Sequence, residues 1–114
     1  MIKIRYAKES DREFWFTLDD HMQESLFESK IRAGECYIAL KDEIPAGILR
    51  YNLFWDNTPF CNLLFIDEPY RKTGIGTELM RFWEREMFSR GYDTVMTSTQ
   101  SDEDAQHFLQ KARL

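Results

Sequence analysis

Cysteine is scarce in this chain of 114 residues: there are two, Cys36 and Cys61, each inside an apolar stretch. That scarcity excludes a disulfide framework and reads as buried free thiols of a reducing compartment. No Cys-x-x-Cys pair and no histidine cluster occur, so no metal-ligand pattern is present and no metal is expected. The opening "MIKIRYAKES" lacks an apolar signal core, and no segment approaches the length of a membrane span. The expected location is the cytoplasm, with no membrane partner. Repeats, linkers and low-complexity tracts are absent as well. A formal net charge of −5 disfavours nucleic acid as a partner, although interleaved charges of both signs allow a local basic pocket.

What is present points to one folded domain over residues 1–114. The chain is 43% hydrophobic and 15% aromatic, too apolar to stay disordered. A chain of this length buries roughly two-thirds of its unfolded surface and needs no staple.

Hydrophobic periodicity divides the domain. "IKIRYA" (2–7) alternates as a half-buried strand does. "SDRE" places Ser10 and Glu13 as a capping box, with a helix through "FWFTLDDHM". A second helix is expected in "QESLFESKIRAG", with Phe27 and Ile31 on one face and Gly34 as its stop. Strands follow at 36–40, 46–55 and 60–66, with turns at "KDEIP" and "DNTP". "FCNLLFI" (60–66) has few polar residues, which predicts a central strand covered on both faces. From Gly74 the period becomes helical: Ile75, Leu79, Trp83 and Met87 form one stripe, and Gly91 ends the helix. A strand at 93–99 and a last helix at 102–114, with Ala105, Phe108 and Leu109 inward, complete the order β-α-α-β-β-β-α-β-α. The fold class is α/β (α+β), a mixed, mostly antiparallel sheet flanked by helices.

The junction "EPYRKTGIGTELM" concentrates cations and glycines where a helix begins. A helix N-terminus presents unpaired N–H groups and a partial positive charge. Glycines there let a ligand approach the backbone, and Arg71 and Lys72 add donors, so the junction suits a phosphate or pyrophosphate. A tight strand–helix connection is the plain structural alternative. There is no G-x-x-x-x-G-K-[ST], which excludes a Walker loop. Without a third glycine or a second βαβ half, a dinucleotide Rossmann domain is disfavoured too.

"Arg71-Lys72-Thr73-Gly74-Ile75-Gly76" resembles the R/Q-x-x-G-x-G/A motif of the GCN5-related N-acetyltransferases (GNAT). The apolar strand before it, the helix after it, "VMTST" and the "A-x-x-F-L-x-K" of the last helix continue the resemblance in order along nearly the whole chain. The resemblance implies a GNAT-like acyl-CoA N-acyltransferase fold and acetyl-CoA as co-substrate. It implies that backbone N–H groups of Arg71, Lys72, Thr73, Gly74, Ile75 and Gly76, with Thr77, grip the pyrophosphate. It also implies a bulge in the strand carrying Leu64, Phe65 and Ile66, with a backbone N–H there polarising the thioester carbonyl. Asp102 stands where the family often has an Asn against the pantetheine arm.

Two departures stand out. Leu109 occupies the place of a Tyr that often protonates the leaving thiolate, with His107 two residues away. The chain ends at "QKARL", where family members continue with further strands, so a C-terminally truncated domain is expected. The strand at 93–99 would then be a sheet edge, and a homo-oligomer, domain-swapped in one form, is expected.

Asp67 and Glu68 rank first as general bases because they lie nearest the thioester in sequence; Glu24, Asp56 and His21 follow. Phe14, Trp15, Phe16, Phe54 and Trp55 either wall an acceptor pocket or simply pack a core. The expected activity is transfer of an acetyl group from acetyl-CoA to a primary amine of a small molecule or protein. The alternatives are a non-catalytic acyl-CoA-binding or regulatory module and an inactive fragment that oligomerises.

Overall fold

The computed structural model describes residues 1–97. Five strands, β1 (Ile2–Tyr6), β2 (Cys36–Lys41), β3 (Ile44–Phe54), β4 (Thr58–Ile66) and β5 (Met96–Thr97), form one sheet in the order β1-β2-β3-β4-β5. The first four pair antiparallel and β4 pairs with β5 in parallel. Three α-helices accompany them: α1 (Arg12–Leu18), α2 (Phe27–Arg32) and α3 (Ile75–Ser89). The expected order thus holds from β1 to β5. The strand predicted at 93–99 is seen at Met96–Thr97, its last two residues and the helix predicted at 102–114 lying outside the described residues.

Local boundaries differ from the sequence reading at the first helix. Ser10 and Glu13 do not form the capping box. Asp11 instead accepts the Lys8 N–H at 2.7 Å and takes both terminal nitrogens of Arg5, so the chain enters through a 3₁₀ turn at Glu9–Asp11. The helix stops at Leu18 and not at Met22, because Asp19 turns extended and binds the N–H groups of His21 and Met22. The second helix begins as a 3₁₀ turn at Glu24–Leu26 and ends, as expected, before Gly34 at φ +70°. The hairpin from β2 to β3 closes through Asp42 and Glu43, both at positive φ, the geometry that suits the twist of two-residue connections.

Each face of the sheet carries a layer. Ile75, Leu79, Trp83 and Met87 of α3 are all buried, against Tyr37, Leu49, Tyr51 and Cys61. At roughly 1.5–3 kcal/mol per buried side chain, that stripe contributes on the order of 6–12 kcal/mol, so packing and not propensity holds α3 in place. On the opposite face Trp15 of α1 and Phe27 of α2 pack with Cys36, Ile48 and Leu63.

A bulge in β4 links the two layers. Tyr51 pairs with Cys61 and Arg50 with Leu63, leaving Asn62 as an extra residue. Strand side chains alternate, so Cys61 and Leu63 would otherwise share a face. With the insertion, Cys61 joins the α3 layer and Leu63 the α1/α2 layer; Leu64 and Ile66 then face α3, and Phe65 faces the other way. No residue of β4 is exposed, in line with its expected central position.

Candidate functional site

The bulged strand delivers the chain directly to the junction singled out in the sequence. Past Ile66, Asp67 donates its N–H to the Ala46 carbonyl at 2.8 Å, and its carboxylate accepts the Glu68 N–H at 3.0 Å. That cap starts a 3₁₀ turn at Glu68–Tyr70. Arg71 is drawn back to the strand end: its Nε donates to the Ile66 carbonyl at 3.0 Å and its guanidinium lies 5.1 Å from the Phe65 ring centroid. The Thr73 hydroxyl donates to the Tyr70 carbonyl. Lys72, Thr73 and Gly74 are exposed.

Gly74 is the N-cap of α3 at φ +89°, a conformation that favours glycine, and no side chain caps the helix. The first helical N–H groups have no partner within a helix. Here the Glu78 N–H is the first to be used, by Gly74 O at 3.1 Å, and those of Ile75, Gly76 and Thr77 meet no acceptor among the described residues. Gly76 has ordinary helical φ, and a Cβ built there would lie 3.6 Å from Ile66 Cγ1, a normal van der Waals contact. Among the described residues, neither backbone conformation nor packing requires glycine at this position. An uncapped, glycine-bearing helix start next to two cations is what a bound anion needs.

The structure therefore brings Leu64, Phe65, Ile66, Asp67, Glu68 and the stretch from Arg71 to Thr77 into one continuous strand–turn–helix unit. Ile75 enters it through its backbone alone, since its side chain is buried in the core. Glu24 lies at the start of the 3₁₀ turn before α2 and pairs with Arg12; His21 is exposed beside Asp20; Asp56 sits at the β3–β4 turn. Trp15 is a core residue, whereas Phe54 and Trp55 stack at 4.7 Å on the hairpin tip, with Trp55 81% exposed. Asp102, His107 and Leu109 lie outside the described residues.

Two polar clusters escaped the sequence reading. Asp19, with a fully buried carboxylate, accepts from Trp15 Nε1 at 3.0 Å, Arg50 Nε at 2.8 Å, and the N–H groups of His21 and Met22 at 3.0 and 3.2 Å. Burial alone would push this carboxyl up, but the Arg50 contact and the N–H donors outweigh it and hold it below its ordinary range. On the α3 face Tyr6 donates to Glu86 at 2.7 Å, and Arg90 donates to Tyr51 at 2.9 Å and to Tyr6. Trp15–Asp19 is an i,i+4 spacing visible in the sequence, but only folding joins it to Arg50.

The chain matches the model of the acetyltransferase (GNAT) family over residues 4–113. Among solved structures it resembles N-acetylglutamate synthase from Neisseria gonorrhoeae, complexed with coenzyme A and N-acetyl-glutamate, with a TM-score of 0.74 and 15% identity over 88% of this chain and 26% of that one. It also resembles the ribosomal-protein-S18-alanine N-acetyltransferase of Escherichia coli, with a TM-score of 0.71 and 16% identity over 85% of this chain and 66% of that one. A third is AAC(6')-Iy in complex with the bisubstrate analogue CoA-S-monomethyl-acetylneamine, with a TM-score of 0.73 and 18% identity over 87% and 80% of the two chains. At such identities the likeness is one of fold. The chain spans 26% of the first of these proteins and 66% of the second. No curated protein matches its sequence.

Proposed function

Because the chain belongs to the GNAT acetyltransferase family, we propose that it transfers an acetyl group from acetyl-CoA to a primary amine of a small molecule or protein. The observation that carries this reading is the open start of α3, where among the described residues no side chain caps the helix and Gly76 leaves space that packing would let a side chain fill.

In this reading the N–H groups from Lys72 to Gly76 and that of Thr77, with the Arg71 and Lys72 side chains, hold the pyrophosphate; the Arg71 N–H itself donates to the Glu68 carbonyl at 3.2 Å. The aligned peptide dipoles of α3, four turns long, add to the attraction. Acetyl-CoA supplies an activated thioester when bound. A backbone N–H in Leu64–Ile66, just past the bulge, donates to the carbonyl oxygen as charge develops on it. Asp67 and Glu68 are the proposed bases that take the proton from the attacking amine. They differ in freedom: the Asp67 carboxylate is committed to its cap, whereas Glu68 is exposed and its carboxylate has no partner among the described residues. Glu68 is accordingly the better placed to exchange a proton. Asp102 would contact the pantetheine arm.

Cytoplasmic location is part of the same proposal and is supported by two buried free thiols. Among the described residues no helix is long and apolar enough to cross a membrane. The expected homo-oligomer rests on the strand at 93–99, whose last two residues lie outside those described. Incubation with acetyl-CoA and a panel of amines, with mass spectrometry of the products, tests the reaction. Acetylated amine formed only with the folded protein supports it; turnover that persists in Gly76→Glu would refute the site.

A further inference from the structure

The Asp19 cluster lies on the face opposite α3, beside the segment proposed to activate the thioester. Arg50 is the β3 residue paired with Leu63 across the bulge, so it stands one register step from Leu64. Adjacent strands of such a ladder are roughly 5 Å apart. Its side chain points to the α1/α2 layer, as its contact with Asp19 requires, and is only 15% exposed.

This arginine is held along one edge only. Asp19 takes it through Nε alone, at 2.8 Å, while the other donors to the same carboxylate come from Trp15, His21 and Met22. The carboxylate thus has four donors, three of them uncharged, and is satisfied without the rest of the guanidinium. Nη1 and Nη2 of Arg50 make no hydrogen bond to any described residue, and neither is among the buried atoms lacking a partner. A guanidinium fixed along its Nε edge and open at its other edge presents two parallel N–H donors, the arrangement that matches a carboxylate in bidentate fashion.

We infer that Arg50 is a specificity-determining residue that binds a carboxylate on the acceptor, and that the acceptor is therefore an amine bearing an acid group, with Asp19 as the positioning residue that aims the fork. The inference rests on the acetyl-transfer reading above, and it narrows the acceptor to a chemical class. It also runs against the net charge of −5, which by itself would favour a cationic acceptor. A local, desolvated cation outweighs a diffuse and screened surface charge.

The test compares matched amines: glycine, β-alanine and aminohexanoate, each against its own carboxamide, with acetyl-CoA at saturation. The series covers a range of separations between amine and acid. The wild-type protein is expected to favour at least one acid over its amide by about ten- to hundredfold in kcat/KM, the worth of a charge-assisted bidentate contact, with the difference residing in KM. Arg50→Lys keeps the charge beside Asp19 but loses the fork, and should bring that ratio down toward one through KM, with acetyl-CoA affinity and circular dichroism recording whether fold and co-substrate site persist. An acid-to-amide ratio of one or less throughout the wild-type series, no acid used, or a ratio unmoved by a folded Arg50→Lys overturns the inference. Failure to bind acetyl-CoA in a separate titration would overturn the acetyl-transfer reading and this inference with it. Binding without any preference for acids would overturn this inference alone.

Discussion

The two glycines at the start of α3 are predicted to respond oppositely to the same substitution. Gly74 sits at φ +89°, where a Cβ is strained although it would meet nothing within 4 Å. Gly74→Ala should therefore cost about 1–2 kcal/mol, a drop of several degrees in Tm for a domain of this size. Gly76 has helical geometry, and its added Cβ would touch Ile66 Cγ1 at a comfortable 3.6 Å. Gly76→Ala should gain up to about 1 kcal/mol from helix propensity, less if the first turn frays, and raise Tm by a few degrees. The same methyl group would stand among the N–H groups proposed to receive the pyrophosphate. Acetyl-CoA affinity should then fall by about tenfold, or about 1.4 kcal/mol, and Gly76→Glu should abolish measurable binding by adding repulsion. Differential scanning calorimetry and titration calorimetry on the three variants give both quantities. A Gly76→Ala protein that is more stable and binds acetyl-CoA as the wild type does would rule out a pyrophosphate at this helix start, because the glycine would then serve neither fold nor ligand.

Other outcomes follow from the polar network and the thiols. The Asp19 carboxyl is held below its ordinary range in the folded chain, so its contribution is present above about pH 4 and is lost as pH falls through the depressed value. Asp19→Ala should cost about 3–5 kcal/mol at neutral pH by leaving a largely buried Arg50 uncompensated, and should flatten the acid limb of a urea-denaturation series; an unchanged limb would contradict the assignment. Burial pushes both Cys36 and Cys61 up to about 12, so neither should react with an aromatic disulfide reagent at about pH 8 until the protein unfolds. Since they belong to opposite layers of the sheet, oxidation should not join them within one chain; a thiol that reacts rapidly in the native state would contradict their burial.

The readability of this chain varied with the range of the interactions involved. The α3 stripe was legible because helical packing repeats every three to four residues, and Ile75, Leu79, Trp83 and Met87 are indeed all buried. The junction from Arg71 to Gly76 was legible for a similar reason, being one continuous segment whose glycines have a local meaning. The end of α1 was not. "FWFTLDDHM" carries no Gly or Pro, and what stops the helix is Asp19 turning inward to meet Arg50, 31 residues away in sequence. The bulge at Asn62 was likewise hidden in an apolar run without alternation; the family resemblance, and not periodicity, called for it. The cap at Asp11 is not legible in the sequence, because Ser10 and Glu13 fit the pattern on spacing alone, whereas Asp11 is fixed by Arg5 on the neighbouring strand. Arg50 itself had no sequence signature: a single cation in a strand becomes informative only when its partners are known.

Titration calorimetry of the folded 114-residue chain with acetyl-CoA, CoA and ATP is the first test of the proposed co-substrate site. Saturable binding of both CoA forms and much weaker binding of ATP are expected of the proposed site, in which the pyrophosphate loop and the bulged strand would act together on the CoA arm. Absence of CoA binding by the folded protein, or ATP binding as tightly as CoA, would contradict that proposal.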